Sequence, residues 1–330
     1  MNVLVTGGAG YIGSHATRQL LDAGHRVVVI DNLSLGHRPA VDPRAAFAEL
    51  DLGATDAIMD LLAEHKVDVV MHFAALASVP ESVADPLRYY HHNTAGTVSL
   101  LRAMERHGVK RIVFSSTCAT YGEPGEMPIV ETMPQDPINP YGRSKLMVER
   151  ILRDRAAADS GFAFTALRYF NVAGCARDGS LGEDHTPESH LIPIVIQAAL
   201  GRRDSITIFG DDCPTPDGTC VRDYIHVEDL CAAHIRAMDA MTDGTARFCN
   251  LGIGRGYSVR EVIDVVQQVT GRPVNVQTGP RRPGDPPSLY ATAELAEREF
   301  GWKAQITDLS EIVESAWKWF ESHPDGYRSD

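Results

Sequence analysis

The chain has 330 residues, with 31 Lys and Arg against 44 Asp and Glu for a net charge of −13, and it is 44% hydrophobic and 23% charged. That length holds one large domain or two moderate ones, and the shortness of the apolar runs excludes a transmembrane helix, a collagen repeat and bulk disorder. The acidic balance opposes a general nucleic-acid or anionic-membrane surface, so any phosphate site must be built locally.

In chain order, Met1-Asn2 runs straight into Val3-Leu4-Val5, which reads as a strand rather than a cleavable leader; a cytoplasmic location is expected. Short β-branched runs at 3–5, 26–30, 46–49, 67–73, 111–114 and 164–167 predict strands. Between them, apolar positions recur at three- and four-residue steps over 12–23, 56–64, 94–107 and 141–158, as on amphipathic helices. This alternation predicts an α/β fold with a Rossmann-type, doubly wound parallel sheet. Beyond about residue 171 the pattern loosens into loops (174–187, 210–218, 279–287) and shorter helices (191–200, 259–269), which predicts a smaller α/β substrate lobe. The expected division is 1–170 and 171–330, with a strand and helix near 222–240 returning in part to the first lobe. The six cysteines form no CxxC pair and read as reduced structural thiols. His91-His92 and His226 lack metal-ligand spacing, and no metal is predicted.

Thr6-Gly7-Gly8-Ala9-Gly10-Tyr11-Ile12-Gly13 follows the first strand and opens a helix. Glycines at 7, 10 and 13 suit a tight turn, close approach to a pyrophosphate, and helix packing against the strand. The second strand ends at Asp31, where a carboxylate accepts from an adenosine ribose and repels a 2′-phosphate, so NAD is expected rather than NADP. Asp51-Leu52 and Phe73-Ala74-Ala75-Leu76 lie at later strand ends. Asp51 is placed to reach an adenine amino group and the 73–76 backbone to floor the nicotinamide side; a capping Asp and a packed strand terminus are the alternatives.

Tyr141-Gly142-Arg143-Ser144-Lys145 opens a helix, so Tyr141 and Lys145 share one face a turn apart. A neighbouring cation, either the Lys145 ammonium or an oxidised nicotinamide, favours the phenolate and is expected to lower the Tyr141 pKa toward working pH, fitting it as a general base. The strand at 111–114 ends in Ser115-Ser116-Thr117, which sets hydroxyls on the same rim. Alone, YxxxK is common on any helix as an exposed pair.

In this order, glycine turn, Asp31, strand-end hydroxyls, Tyr141 and Lys145 resemble the extended short-chain dehydrogenase/reductase superfamily. Phe114-Ser115-Ser116-Thr117, Tyr121-Gly122, residues 140–145, Arg168-Tyr169-Phe170-Asn171, residues 222–227 and Pro280-Arg281-Arg282-Pro283-Gly284-Asp285 further resemble its UDP-glucose 4-epimerase family, over nearly the whole chain. The resemblance implies NAD contacts at Gly7, Gly10, Tyr11, Ile12, Gly13, Asp31, Asn32, Asp51, Leu52, Phe73, Ala74, Ala75, Asn93, Ser115, Tyr141, Lys145 and Tyr169. It implies catalytic roles for Thr117, Tyr141 and Lys145, and UDP-sugar contacts at Thr117, Tyr141, Asn171, His190, Leu191, Thr207, Phe209, Arg222, Arg282 and Asp285. A homodimer joined by the helices at 94–107 and 141–158 is likewise implied.

The reaction so implied is inversion at C4 of a UDP-sugar by transient oxidation, with UDP-glucose and UDP-galactose as the pair and galactose metabolism or polysaccharide precursor supply as the setting. UDP-N-acetylglucosamine or UDP-xylose/UDP-arabinose epimerisation are alternatives. A nucleotide-sugar 4,6-dehydratase is disfavoured because Cys118-Ala119 stands where such proteins carry an Asp-Glu pair, and a non-catalytic NAD sensor because Thr117, Tyr141 and Lys145 are all present. Two positions bear on substrate: His190, where many members carry Asn, and Leu289, where some carry Tyr.

Overall fold

Six strands form where the β-branched runs stand: β1 (Asn2–Thr6), β2 (Arg26–Asp31), β3 (Ala46–Glu49), β4 (Val69–His72), β5 (Arg111–Ser115) and β6 (Ala163–Arg168). They are drawn from a computed structural model that describes residues 1–282 and 286–327. A seventh strand, Ala246–Asn250, joins them beside β6, and the order across the sheet is Ala246–Asn250, β6, β5, β4, β1, β2, β3. Every pairing is parallel. The order reverses between β1 and β4, so the carboxyl ends of those two strands open a crevice suited to a ligand.

Alternation of side chains along β1 assigns its residues to two cores. Val3 and Val5 face one side with Leu20 and Leu230, beneath α1 (Tyr11–Asp22) and the Val227–Asp239 helix. Leu4 faces the other with Ile58, Leu100 and Val148, beneath α2 (Thr55–Glu64) and the Gly96–His107 and Pro140–Ala158 helices. Covered on both faces, β4 and β6 are buried at every residue, which is why they read as mostly apolar runs without alternation. The helix predicted from 94 begins at Gly96, because residues Tyr90–Ala95 form a wider π turn.

A third core gathers Ile192, Val266 and Trp319 from the Leu191–Ala199, Val259–Thr270 and Leu309–Ser322 helices against the Ile206–Phe209 strand, which pairs with the more exposed Val276–Gly279 strand. The strand expected near 224 pairs with Asn171–Ala173 rather than with the large sheet. The chain returns to that sheet afterwards, through the Val227–Asp239 helix and then Ala246–Asn250. Among the described residues, no helix is long and apolar enough to cross a membrane.

Candidate active site

The glycine turn sits at the carboxyl end of β1, where its backbone has no room for side chains. Gly7 takes φ +71°, and a Cβ there would lie 2.6 Å from the Ala74 nitrogen; one on Gly13 would lie 2.1 Å from the Gly7 carbonyl oxygen. At Gly10, the N-cap of α1, no side chain caps the helix and its first turn carries no acid. The amino end of α1 therefore presents donors and positive potential, the chemistry a pyrophosphate takes. Beside it the Asp31 carboxylate accepts from the Ala9 N–H (3.0 Å) and the Leu33 N–H (2.9 Å), which fix its orientation and leave further lone pairs for a ribose. Burial pushes the Asp31 carboxyl up, against those two N–H bonds. Asn32 donates to Asp51 (2.8 Å), and the Gly53 N–H bond followed by the Asn32 bond holds the Asp51 carboxyl below its usual range. Leu52 packs beside Gly96. This cradle fits the adenosine and diphosphate parts of NAD.

Phe73 and Ala74 both donate backbone N–H groups to the Thr6 carbonyl, so the 73–76 segment lies directly against the glycine turn. Asn93, lifted inward by the π turn, clamps that segment. It accepts from Leu76 N–H (2.9 Å), donates to the Leu76 carbonyl (3.0 Å) and donates to Ser144 Oγ (3.0 Å). These bonds make it a brace between strand end and catalytic helix.

The Pro140–Ala158 helix starts at Asn139, whose side chain accepts from Gly142 N–H at 2.8 Å. A Cβ on Gly142 would lie 2.6 Å from the Ala119 carbonyl oxygen, so glycine lets the helix start press on the turn after Thr117. That approach brings the Thr117 hydroxyl up to the Tyr141 phenol. Thr117 Oγ1 also accepts from Ala119 N–H at 3.1 Å. Lys145, one turn on and 3% exposed, donates to the Ser115 carbonyl at 2.8 Å and lies over the Phe114 ring. Ser115 Oγ and the Tyr169 hydroxyl share a hydrogen bond, which fastens Tyr169 to the same rim.

The expected lowering of the Tyr141 pKa is corrected by this geometry. Burial raises the phenol above its ordinary value, with the Thr117 bond opposing, and Lys145 is directed at a backbone carbonyl instead. Lys145 itself is brought down to about 7 by burial, against the pull of Glu149.

Behind this rim lies a network that no local spacing announces. Arg168 forks onto Glu149 at 2.9 and 2.7 Å, with both side chains at most 3% exposed. Ser116 and Gln135 donate to the same carboxylate, and Arg168 donates to the Tyr121 hydroxyl. The network ties β6, the catalytic helix and the Ser115–Thr117 segment together. His72 spans Thr6 (2.6 Å) and Thr97 (2.9 Å), and burial with nearby Lys145 brings it down to about 3, so it stays neutral.

Of the residues expected at the nucleotide-sugar, Arg222 lies in the Val221–Arg222 strand, half-buried, with Nη1 donating to the Val221 carbonyl at 2.7 Å. Its register partner is Leu289, which packs with Cys118, Tyr121 and Phe170 directly behind Thr117. Asn171 donates to the Asp223 carbonyl at 3.1 Å. Thr207 and Phe209 share the exposed face of their strand, and the Arg282 guanidinium stacks 3.8 Å from the Phe209 ring centre. Asp285 lies outside the described residues. Leu191 opens its helix with His190 as N-cap. The His190 Nδ1 is turned to Glu183 (2.7 Å) and Glu188 (3.0 Å) rather than left open for a diphosphate, and those carboxylates raise its pKa against burial.

Residues 3–252 match the NAD dependent epimerase/dehydratase family. The UDP-glucose 4-epimerase of Lacticaseibacillus casei is 51% identical over 328 residues, 99% of each chain. A solved UDP-glucose-4-epimerase from Stenotrophomonas maltophila, with bound NAD and formylated UDP-arabinopyranose, is 42% identical with a TM-score of 0.95 over 98% of this chain and 99% of its own. That from Bifidobacterium longum, in complex with NAD+ and UDP, is 40% identical with a TM-score of 0.94 over 99% and 100%. By the family match over most of its length and by these relatives, the chain belongs to the NAD dependent epimerase/dehydratase family.

Proposed function

We propose that this chain interconverts UDP-glucose and UDP-galactose by transient oxidation at C4 of the hexose. The observation that carries the reading is Tyr141 and Lys145 one turn apart at the start of the Pro140–Ala158 helix, with Lys145 donating to the Ser115 carbonyl two residues before Thr117, on the rim that the glycine turn shares. A C–H bond at C4 is not acidic, so inversion there needs a hydride acceptor that gives the hydride back, and bound NAD supplies it. Tyr141, which burial alone keeps as a phenol, would act as the base in its phenolate form, favoured by the positive charge of a bound oxidised nicotinamide, taking the 4-hydroxyl proton and later returning it. Thr117 holds the sugar oxygen by hydrogen bonding as its charge shifts. Lys145 pins Ser115 and brings positive charge within a turn of the phenol. Arg222 and Arg282 suit the diphosphate, because guanidinium forks match paired oxygens, while the hexose stays free to turn over about its link. Cys118, held as a neutral thiol by burial, offers no acid for dehydration.

UDP-arabinose or N-acetylated sugars form the second reading, favoured by Leu289 packing behind Thr117 with a side chain of intermediate size. Incubating the purified protein separately with UDP-galactose, UDP-N-acetylgalactosamine and UDP-arabinose is expected to yield UDP-glucose from the first. Conversion of none of the three overturns the reading.

A homodimer through the Gly96–His107 and Pro140–Ala158 helices belongs to the same proposal. Tyr90, Thr94, Val98, Arg102 and Met147 line one surface between them, with Val83 64% and Leu87 77% exposed on neighbouring turns. Light scattering is expected to give twice the chain mass. All six cysteines are buried, with no disulfide among the described residues, which supports a reducing, cytoplasmic setting in galactose metabolism or polysaccharide precursor supply.

A further inference from the structure

Between Gly182 and Leu191 a short loop turns four ligand-type side chains toward one point. One donor atom from each of Glu183, His185, Glu188 and His190 lies within 4.8 Å of the other three. A tetrahedral zinc ion with bonds of about 2.0–2.1 Å needs donor atoms about 3.3 Å apart. Here His185 Nδ1 is 3.1 Å from Glu183 and 3.6 Å from Glu188, while His190 Nδ1 is 2.7 Å from Glu183 and 3.0 Å from Glu188. The two imidazoles meet at 5.2 Å between ring centres, both with Nδ1 inward.

Hydrogen bonding alone leaves this cluster incomplete. Glu183 Oε1 and His185 Nδ1 are buried, yet neither has a hydrogen-bond partner of proper alignment, although they lie close together. Both Nδ1 atoms converge on that one oxygen, and a shared acceptor cannot align with each. Glu183 is 2% exposed, so its unmet oxygen is not turned to solvent. We propose that this loop is a structural divalent-metal site of the zinc class, with Glu183, His185, Glu188 and His190 as its four protein ligands. Two carboxylates and two neutral imidazoles around a divalent ion sum to zero charge, which offsets the two buried carboxylates of Glu183 and Glu188. Two nitrogens in the set disfavour calcium and magnesium, which take oxygen, and the lack of sulfur disfavours copper(I). Four protein ligands make a closed site rather than one with an open catalytic position.

Its placement gives the ion a task. Tyr11 of the glycine turn sets its ring edge-on to His185 at 6.3 Å and donates its hydroxyl to the Gly174 carbonyl. On the other side Trp319 Nε1 donates to the Glu183 carbonyl at 3.2 Å, and Gly182 lies against the Trp319 indole. Metal ligation therefore fastens the loop between the cofactor turn and the second lobe's core, and fixes the start of the helix that carries Leu191. It also assigns the His190 imidazole to the ion instead of to a diphosphate.

The experiment uses the full chain with its NAD, dialysed against metal-free buffer and read without reference to sugar turnover, so that its failure is separate from failure of the epimerase reading. Elemental analysis after zinc addition is expected to find about one equivalent per chain, and cobalt(II) in its place is expected to give the intense visible bands of tetrahedral ligation. His185→Ala and the near-isosteric Glu188→Gln are each expected to weaken zinc binding by at least about 10-fold. A chelator is expected to lower the thermal midpoint of the wild type and not of those variants. Wild-type protein that takes up neither zinc nor cobalt stoichiometrically, or variants that keep full metal content, overturn the proposal; if His185→Ala does not fold, Glu188→Gln and the wild-type cobalt spectrum decide.

Discussion

The two walls of the cleft are made of different material. The cofactor wall is backbone: glycines at 7, 10 and 13, an uncapped helix start, and one carboxylate fixed by two N–H groups. The proposed nucleotide-sugar wall is side chains on separate segments, with Arg222 in one short strand and Arg282 stacked on Phe209 of another. A backbone site is specified by what must be absent, namely a Cβ, and so it is written in consecutive letters. A side-chain site depends on which distant segments end up adjacent.

The largest expected effect lies where the walls meet. Tyr141→Phe should reduce turnover about 10²- to 10⁴-fold while NAD and UDP remain bound, measured by coupled assay and by cofactor content. Undiminished turnover would remove the phenol from the mechanism. Next, Glu149→Gln should leave the Arg168 guanidinium buried without its charge partner and destabilise the fold by about 3–5 kcal/mol, read by urea denaturation.

The contrast itself is tested by a crossed pair. Gly13→Ala forces a Cβ into the Gly7 carbonyl and should reduce stability by about 1–3 kcal/mol and release NAD, leaving UDP affinity near wild type once NAD is restored. Arg222→Ala should do the reverse: NAD stays bound, and loss of a charged contact worth about 1.5–3 kcal/mol raises KM roughly 10- to 100-fold. Equal damage to both ligands from either variant would mean that the walls are not separable.

The smallest effect concerns Lys145. Its folded pKa of about 7 lies below its ordinary value of 10.5, so between those limits the unfolded chain binds a proton that the folded chain does not. Stability should therefore rise with pH across that window, at no more than about 1.4 kcal/mol per pH unit, and fall as pH drops toward 7. Lys145→Met should lack this slope in urea titrations from pH 7 to 10. A parallel profile would place the ammonium in contact with solvent.

How far the letters reached follows the same division. Six strands were legible from short β-branched runs, the long helices from period-3.6 patterning, and the glycine turn from its spacing. The Ala246–Asn250 strand was not: Arg247 interrupts a five-residue run, and its partner β6 lies some eighty residues earlier in sequence. The Arg168–Glu149 pair was hidden for the same reason, since neither residue differs in sequence from a surface charge. Tyr141 and Lys145 were found by spacing, but the direction of the Tyr141 shift was misjudged because one helix cannot reveal burial, nor that Lys145 is aimed at the Ser115 carbonyl rather than at the phenol. In the loop at 183–190 the four ligand-type residues follow no helical or Cys-based template, and only the fold turns them inward.

The late return of the chain to its large sheet governs the order of assembly. Until residues 246–250 emerge from the ribosome, β6 is a largely apolar edge with an unpaired row of backbone groups, the arrangement that recruits foreign strands. Closing that gap requires the whole intervening excursion to be threaded first, a slow, non-local step. Nascent fragments halted before residue 246 should consequently be the aggregation-prone species of this protein, and chaperone demand should peak there rather than at the chain's end.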